Sequence, residues 1–307
     1  MIAKHKMKIR YLFLIVILFC NCSIDKSPLI YNANAGHNKI LFTSNRSGKD
    51  QLYTMNPDGS GIQQMSSGRW WHSFGRWSPD GTKIVCNTEE GTTTAGFQMV
   101  VMDADGSNRK LLGWGAYMAW HPNGIDIAFV FWPAAEWGLV FGFIYLINST
   151  TLNICRVTSD SLEDIGPPCF TPDGEDIYFA SNRHNIKGKH YYDIYKMNRD
   201  GSNVTRVTNT LNGSSYTASV SPTGTRLVYM LRMEEIQGSI TILDLDSDRI
   251  KVVRTPENII YNYPRWSPDE KYIVFTAVHN RESSIYRINS DGSHLMLLAE
   301  NARIADW

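Results

Sequence analysis

Short apolar runs recur along the chain at a nearly constant phase to a polar turn. Ile84-Val-Cys86, Ile127-Ala-Phe129, Ile177-Tyr-Phe179, Leu227-Val-Tyr229 and Ile273-Val-Phe275 each follow one of five related segments. Those segments are Trp77-Ser-Pro-Asp-Gly81, Trp120-His-Pro-Asn-Gly124, Phe170-Thr-Pro-Asp-Gly174, Val220-Ser-Pro-Thr-Gly224 and Trp266-Ser-Pro-Asp-Glu270, spaced by 43, 50, 50 and 46 residues. A second series begins at Leu52, Met99, Ile144, Ile194, Ile240 and Ile285, each six residues before Asp58, Asp105, Thr150, Asp200, Asp246 or Asp291. Four of these positions, Asp58, Asp105, Asp200 and Asp291, open an Asp-Gly-Ser turn. Glycine supplies the positive φ of a tight turn and aspartate bonds its own backbone, so both series mark hairpins. Each repeat therefore predicts strand A, a Pro-Asp-Gly turn, strand B, a variable loop, strand C, an Asp-Gly-Ser turn and strand D. That is one four-stranded propeller blade.

The strands can be counted. Six B-C-D sets are present, the first starting at Ile40, but only five complete A strands with their turns. The sixth A strand is supplied by Ala302-Arg-Ile-Ala-Asp-Trp307, which ends on a Trp at the repeat position. The expected fold is all-β: a six-bladed propeller over residues 38–307, closed by the C-terminal strand joining the N-terminal blade. Closure of this kind removes exposed sheet edges.

Composition narrows the function classes. Thirty Lys and Arg balance thirty Asp and Glu, so the basic footprint of a phosphate-tracking protein is missing and no nucleic-acid partner is expected. Lys4, His5, Lys6, Lys8 and Arg10 precede the apolar run from Tyr11 to Phe19, the pattern of an export signal over residues 1–22. Nine residues are too few to span a bilayer comfortably, so membrane association is expected only through a signal anchor or lipid at the N-terminus. Cys22, or else Cys20, resembles the lipidation site of bacterial lipoproteins; cleavage without lipid, or an uncleaved anchor, are the alternatives. Residues 23–37 are expected to be a polar tether. Cys86, Cys155 and Cys169 lie in apolar stretches at no metal-ligand spacing, and are expected as buried free thiols.

The Trp-Ser-Pro-Asp-Gly turns, the Asp-Gly-Ser turns and the segments Thr43-Ser-Asn-Arg46 and Ala180-Ser-Asn-Arg183 resemble the TolB-type propeller family. The resemblance covers about residues 38–307 and does not extend to the α/β domain that precedes the propeller in that family's periplasmic Tol–Pal component. It implies an exported protein, periplasmic or lipid-anchored at a bacterial envelope membrane. The propeller repeat is shared by peptide-binding propellers, propeller lyases and peptidase accessory domains, so a shared fold leaves the chemistry open.

Candidate site residues come from the tryptophans. Trp77, Trp120, Trp266 and Trp307 occupy the repeat position and are expected to pack between blades. The other five, Trp70, Trp71, Trp114, Trp132 and Trp137, fall in the D–A and B–C connections around blades 2 and 3, with His72, Phe74 and Tyr117 nearby. Such a cluster either caps the junction of blades 2 and 3 or binds a partner. For a partner site, Trp132 and Trp137 are the expected exposed anchors, with Trp71 and His72 forming the inner wall. The residue five before each repeat aromatic is His72, Gly115, Ile165, Ser215, Tyr261 or Ala302; one His among six cannot hold a metal, and His72 is expected as a surface imidazole. Asp244, Asp246 and Asp248 mimic the start of a calcium loop, but Arg249 stands where the loop needs Gly, which predicts an ordinary C–D turn. The basic run from Arg183 to His190 predicts a solvated B–C hairpin, with anion or polysaccharide binding as the alternative. No nucleophile elbow, zinc-protease helix or phosphate loop is present, and no catalytic residue, metal or cofactor is expected. The expected function is a monomeric, non-catalytic envelope module that binds a protein segment or glycan. The alternative is a propeller-type polysaccharide lyase or hydrolase.

Overall fold

The computed structural model describes residues 38–90, 97–132, 142–158, 164–184, 191–233, 238–253 and 259–307. Residues 1–37, with Cys20 and Cys22, lie outside the described residues, as do Trp137 and residues 185–190 of the basic loop.

Twenty-four strands form six four-stranded antiparallel sheets, with no helix among the described residues. Blade 1 consists of β1 (Ile40–Ser44), β2 (Gln51–Met55), β3 (Gln63–Gln64) and the last strand of the chain, β24 (Ala302–Asp306). Blade 2 holds β4 (His72–Trp77), β5 (Lys83–Thr88), β6 (Gln98–Asp103) and β7 (Lys110–Trp114). Blade 3 holds β8 (Ala116–Trp120), β9 (Asp126–Phe131), β10 (Phe143–Asn148) and β11 (Ile154–Arg156). Blade 4 holds β12 (Asp164–Phe170), β13 (Asp176–Ser181), β14 (Asp193–Asn198) and β15 (Thr205–Arg206). Blade 5 holds β16 (Gly213–Val220), β17 (Arg226–Met233), β18 (Ser239–Asp244) and β19 (Ile250–Val253). Blade 6 holds β20 (Ile260–Trp266), β21 (Tyr272–His279), β22 (Glu282–Asn289) and β23 (Met296–Glu300). β24 pairs with β1 through Leu41–Asp306, Thr43–Arg303 and Ser44–Ala302, which closes the ring as the strand count predicts.

The B and C strands read as continuous apolar runs because neighbouring blades cover both of their faces. The core is accordingly divided into inter-blade clusters. One joins blades 6 and 1 through Ile40, Phe42, Val274, Leu298 and Ala305, so the closing interface is packed as the others are. The outermost strands are exposed to water, as Ile250, Lys251 and Val252 show. Trp120 Nε1 donates to the Arg76 carbonyl (3.2 Å) and Trp266 Nε1 to the Ser219 carbonyl (3.1 Å), each tying its blade to the preceding one. Turn glycines allow close approach between blades: Gly106 has φ +84°, and a Cβ there would lie 2.4 Å from the Met65 carbonyl oxygen.

Backbone hydrogen bonds assign the loops to faces. C–D turns bond A–B turns, as in Ala104 N to Thr82 O and Leu245 N to Thr225 O, forming the stereotyped turn face. D–A connections bond B–C loops, as in His72 N to Asp50 O and Gly115 N to Phe97 O, forming the variable face. Asp244 Oδ1 accepts from the Ser247 N–H and hydroxyl in an ordinary C–D turn. Of the three cysteines within the propeller only Cys86 is buried; Cys155 and Cys169 are half-buried, because one lies on an outer strand and the other opens onto the central canal.

Candidate functional site

The variable face carries a cleft between blades 1 and 2, lined by Lys49, Asp50, Trp71, Ser73, Phe74, Glu89, Phe97 and Arg303. Trp71 meets Phe97 edge to face at 5.7 Å, and together they make an aromatic wall in which Phe97 is half exposed. Arg303, on the closing strand β24, forms an ion pair with Asp50 at the other side. Two positive and two negative residues line the cleft, so net charge selects little there. Its apolar wall dominates.

An inner-strand bulge presents Phe74 to the cleft. Phe74, Tyr117, Thr217, Tyr263 and Ile304 each stand three residues before the repeat position and have φ between 49° and 57°. In blade 4 that position is Pro167, whose ring forbids positive φ, and the left-handed residue is Gly166 instead (φ 85°). Each bulge coincides with a register shift against the B strand, as between Ser73 and Arg76 or Asn262 and Arg265. Left-handed backbone costs about 1 kcal/mol or more at a bulky residue. The side chains it re-aims pack on one another. Phe74 meets Tyr117 at 5.3 Å and Tyr263 at 5.8 Å, and Tyr117 meets Trp132 at 5.7 Å, all edge to face. Burial raises the pKa of the Tyr117 and Tyr263 phenols.

A polar network behind the cleft fixes the D–A connection that carries Trp70 and Trp71. Gln51 Nε2 donates to the Trp70 carbonyl (2.8 Å) and Lys49 Nζ to that of Arg69 (2.7 Å). The Gln51 amide oxygen is thereby left as an acceptor, for the Ser66 hydroxyl (2.7 Å) and for His72 Nδ1 (3.0 Å). His72 is therefore the Nδ1–H tautomer, and its Nε2 accepts from Arg109 Nη2 (2.5 Å), which also donates to Glu90 (2.6 Å). Burial, with the Arg109 charge second, lowers the His72 pKa to about 4. The expectation of a surface imidazole is overturned: His72 is fully buried, because the blade 1 strand bearing Gln51 covers it. It cannot wall a binding surface; it positions Trp71.

The structure gathers part of the tryptophan set. Trp71 walls the cleft; Trp132, half-buried, does not line it and is linked to its residue Phe74 through Tyr117. Trp70 stacks under the Arg69 guanidinium at 4.1 Å. Trp114, the last residue of β7, is 42% exposed and pairs with Gln98 beside Phe97, but it does not line the cleft. Sequence inspection missed Phe97, Arg303 and Tyr263. Their one legible signal was position, since Tyr263 and Phe74 share a phase in the repeat. Arg183 stacks on Phe179 and Tyr195 as part of its own blade. Among the described residues, no three His, Cys, Asp or Glu side chains converge to hold a metal ion.

Comparison with known proteins gives a consistent picture. The TolB beta propeller domain family model matches residues 118–306, more than half of the chain. The Tol-Pal system protein TolB of Francisella tularensis subsp. mediasiatica is 24% identical over 231 residues, 75% of this chain and 52% of that protein. The chain thus spans about half the length of the curated relatives it matches. The crystal structure of TolB from Acinetobacter baumannii superposes with a TM-score of 0.74 at 19% identity, covering 88% of this chain and 66% of that one. An oligogalacturonate lyase in complex with manganese superposes with a TM-score of 0.56 at 15% identity, over 86% and 74% of the two chains. At these identities the superpositions show a common fold.

Proposed function

The chain belongs to the TolB β-propeller domain family, and from that premise we propose that it is a non-catalytic binding module of the bacterial cell envelope. Its variable face holds an extended segment of a partner protein. The observation that carries this is the cleft between blades 1 and 2: an aromatic wall of Trp71 and Phe97, Phe74 beside it with ring contacts through Tyr117 to Trp132, and balanced charges. Such a surface buries apolar side chains of a ligand while exposed polar groups satisfy its backbone. The export-type pattern of residues 1–22 and the TolB relatives support an envelope location, with Cys22, or Cys20, as the acylated residue. Trp137 belongs to the same loop region by sequence and is included in the proposed surface.

The test is capture of envelope proteins by purified wild-type protein, Trp71→Ala and Phe97→Ala. A central aromatic anchor is worth about 2 kcal/mol, or roughly thirtyfold in affinity, so either variant loses capture while its melting temperature stays within a few degrees. Unchanged capture contradicts the proposal. Competition by envelope glycan fragments, with no protein retained, replaces the protein segment with a glycan.

A further inference from the structure

The turn face carries a second cavity, at the opposite mouth of the central canal. The residues just before the repeat position, Arg76, Ala119, Cys169, Ser219, Arg265 and Asp306, all open into it. Arg76 and Arg265 are nearly buried, with side chains 7% and 10% exposed, and they share one carboxylate. Asp306 Oδ1 lies 3.9 Å from Arg76 Nε and 3.6 Å from Arg265 Nε, while Oδ2 accepts the Trp77 N–H at 2.9 Å. Arg76 Nη1 donates to the Gly75 carbonyl (3.0 Å) and Arg265 Nη1 to that of Pro264 (2.9 Å); Nη2 of neither has a partner among the described residues. Two guanidiniums thus face one carboxylate inside a cavity walled by Trp77, Trp120, Phe170 and Trp266.

A buried charge without a partner is costly, and the side chains that line the cavity carry an excess of one positive charge. We propose that this cavity is a ligand site for a monoanionic carboxylate, held by the free edges of Arg76 and Arg265. A monoanion restores neutrality beside Asp306, whereas a dianion leaves an excess negative charge. Planar guanidinium edges match the carboxylate fork. The volume, about 260 Å³, admits a carboxylate on a short stalk and no folded element. Burial and the Arg265 charge lower the Arg76 pKa to about 10, as repulsion between two crowded cations requires. The site lies on the opposite face from the proposed protein-binding cleft and does not depend on it.

Tryptophan fluorescence reports binding, since Trp77, Trp120 and Trp266 line the cavity. Hippurate is titrated against its neutral amide, D-galacturonate against D-galactose, and inorganic phosphate is added at pH 8. The expected result is that at least one carboxylate binds tenfold or more tightly than its neutral counterpart and more tightly than phosphate. The tighter of the two carboxylates distinguishes an amino-acid from a sugar-acid source. Arg76→Gln and Arg265→Gln each leave one guanidinium to pair Asp306, and each is expected to abolish the preference. Ser219→Asp places a resident carboxylate in the cavity; it is expected to abolish hippurate and galacturonate binding and to raise the melting temperature. Equal binding of acids and neutral analogues, tighter binding of phosphate, or a preference that survives Ser219→Asp overturns the proposal.

Discussion

His72 makes the stability of the ring depend on pH. Its imidazole is held neutral, with a pKa lowered to about 4 by burial and by Arg109, against 6.5 for an unperturbed group. The unfolded chain therefore binds more protons between pH 6.5 and 4. The contribution is fully present above about pH 6.5 and is lost progressively as pH falls towards 4. A shift of about 2.5 units at 1.36 kcal/mol per unit corresponds to about 3 kcal/mol. The assay is urea unfolding from pH 4 to 7.5 for wild type and His72→Asn. The variant is expected to be less stable at pH 7.5, through its lost hydrogen bonds, but to have a shallower acid limb. Its stability difference from wild type should shrink by about 3 kcal/mol at the acid end. His121 is also buried with a lowered pKa, but it is common to both proteins and cancels in the comparison. Nitrogen-15 histidine spectra should show Nδ1 protonated at pH 7, and Arg109→Gln should raise the His72 pKa by removing the second cause. Parallel acid limbs in the two proteins would refute the buried, neutral assignment.

Three further outcomes are expected. Deleting residues 302–307 removes β24 and Asp306, opening the edge of β1 and leaving Arg76 and Arg265 unpaired; loss of a buried partner costs about 3–5 kcal/mol, and calorimetry should show an early or non-cooperative transition. Gly106→Ala should cost about 2–3 kcal/mol in urea unfolding, because strain at φ +84° adds to a clash with the Met65 carbonyl, whereas Gly48→Ala, at φ +93° with no neighbour within 4 Å, should cost about 1 kcal/mol. Cys22→Ala should release the protein from the membrane fraction while Cys20→Ala does not; membrane retention of both single variants points instead to an uncleaved signal anchor.

Blade number and ring closure were legible because turn chemistry is local: a Pro-Asp-Gly or Asp-Gly-Ser segment demands its backbone wherever it stands. Even the displaced β24 followed from counting, since Trp307 sits at the repeat phase. The candidate site was legible only in part. Trp71 and Trp132 signalled themselves as large rings outside the repeat, but their companions come from distant segments. Phe97 precedes β6, Arg303 lies in the last strand, and Tyr263 of blade 6 reaches Phe74 of the non-adjacent blade 2 only because the closed ring brings their inner strands together. His72 was misread for the same reason, since its burial depends on Gln51 and Ser66 of the preceding blade. The left-handed bulges were invisible too: Phe74, Tyr117, Thr217, Tyr263 and Ile304 range from aromatic to β-branched, and such residues rarely adopt positive φ on their own.

The binding surface is tested most directly by site-specific photo-crosslinking in intact cells. A photoreactive residue replaces Phe97 in the cleft, or Asp200 in an exposed Asp-Gly-Ser turn on the other face. One defined protein adduct is expected from position 97, lost when Trp71→Ala is added, and no such adduct from position 200. The same adduct from position 200 alone, or one from position 97 that persists with Trp71→Ala, would contradict this expectation.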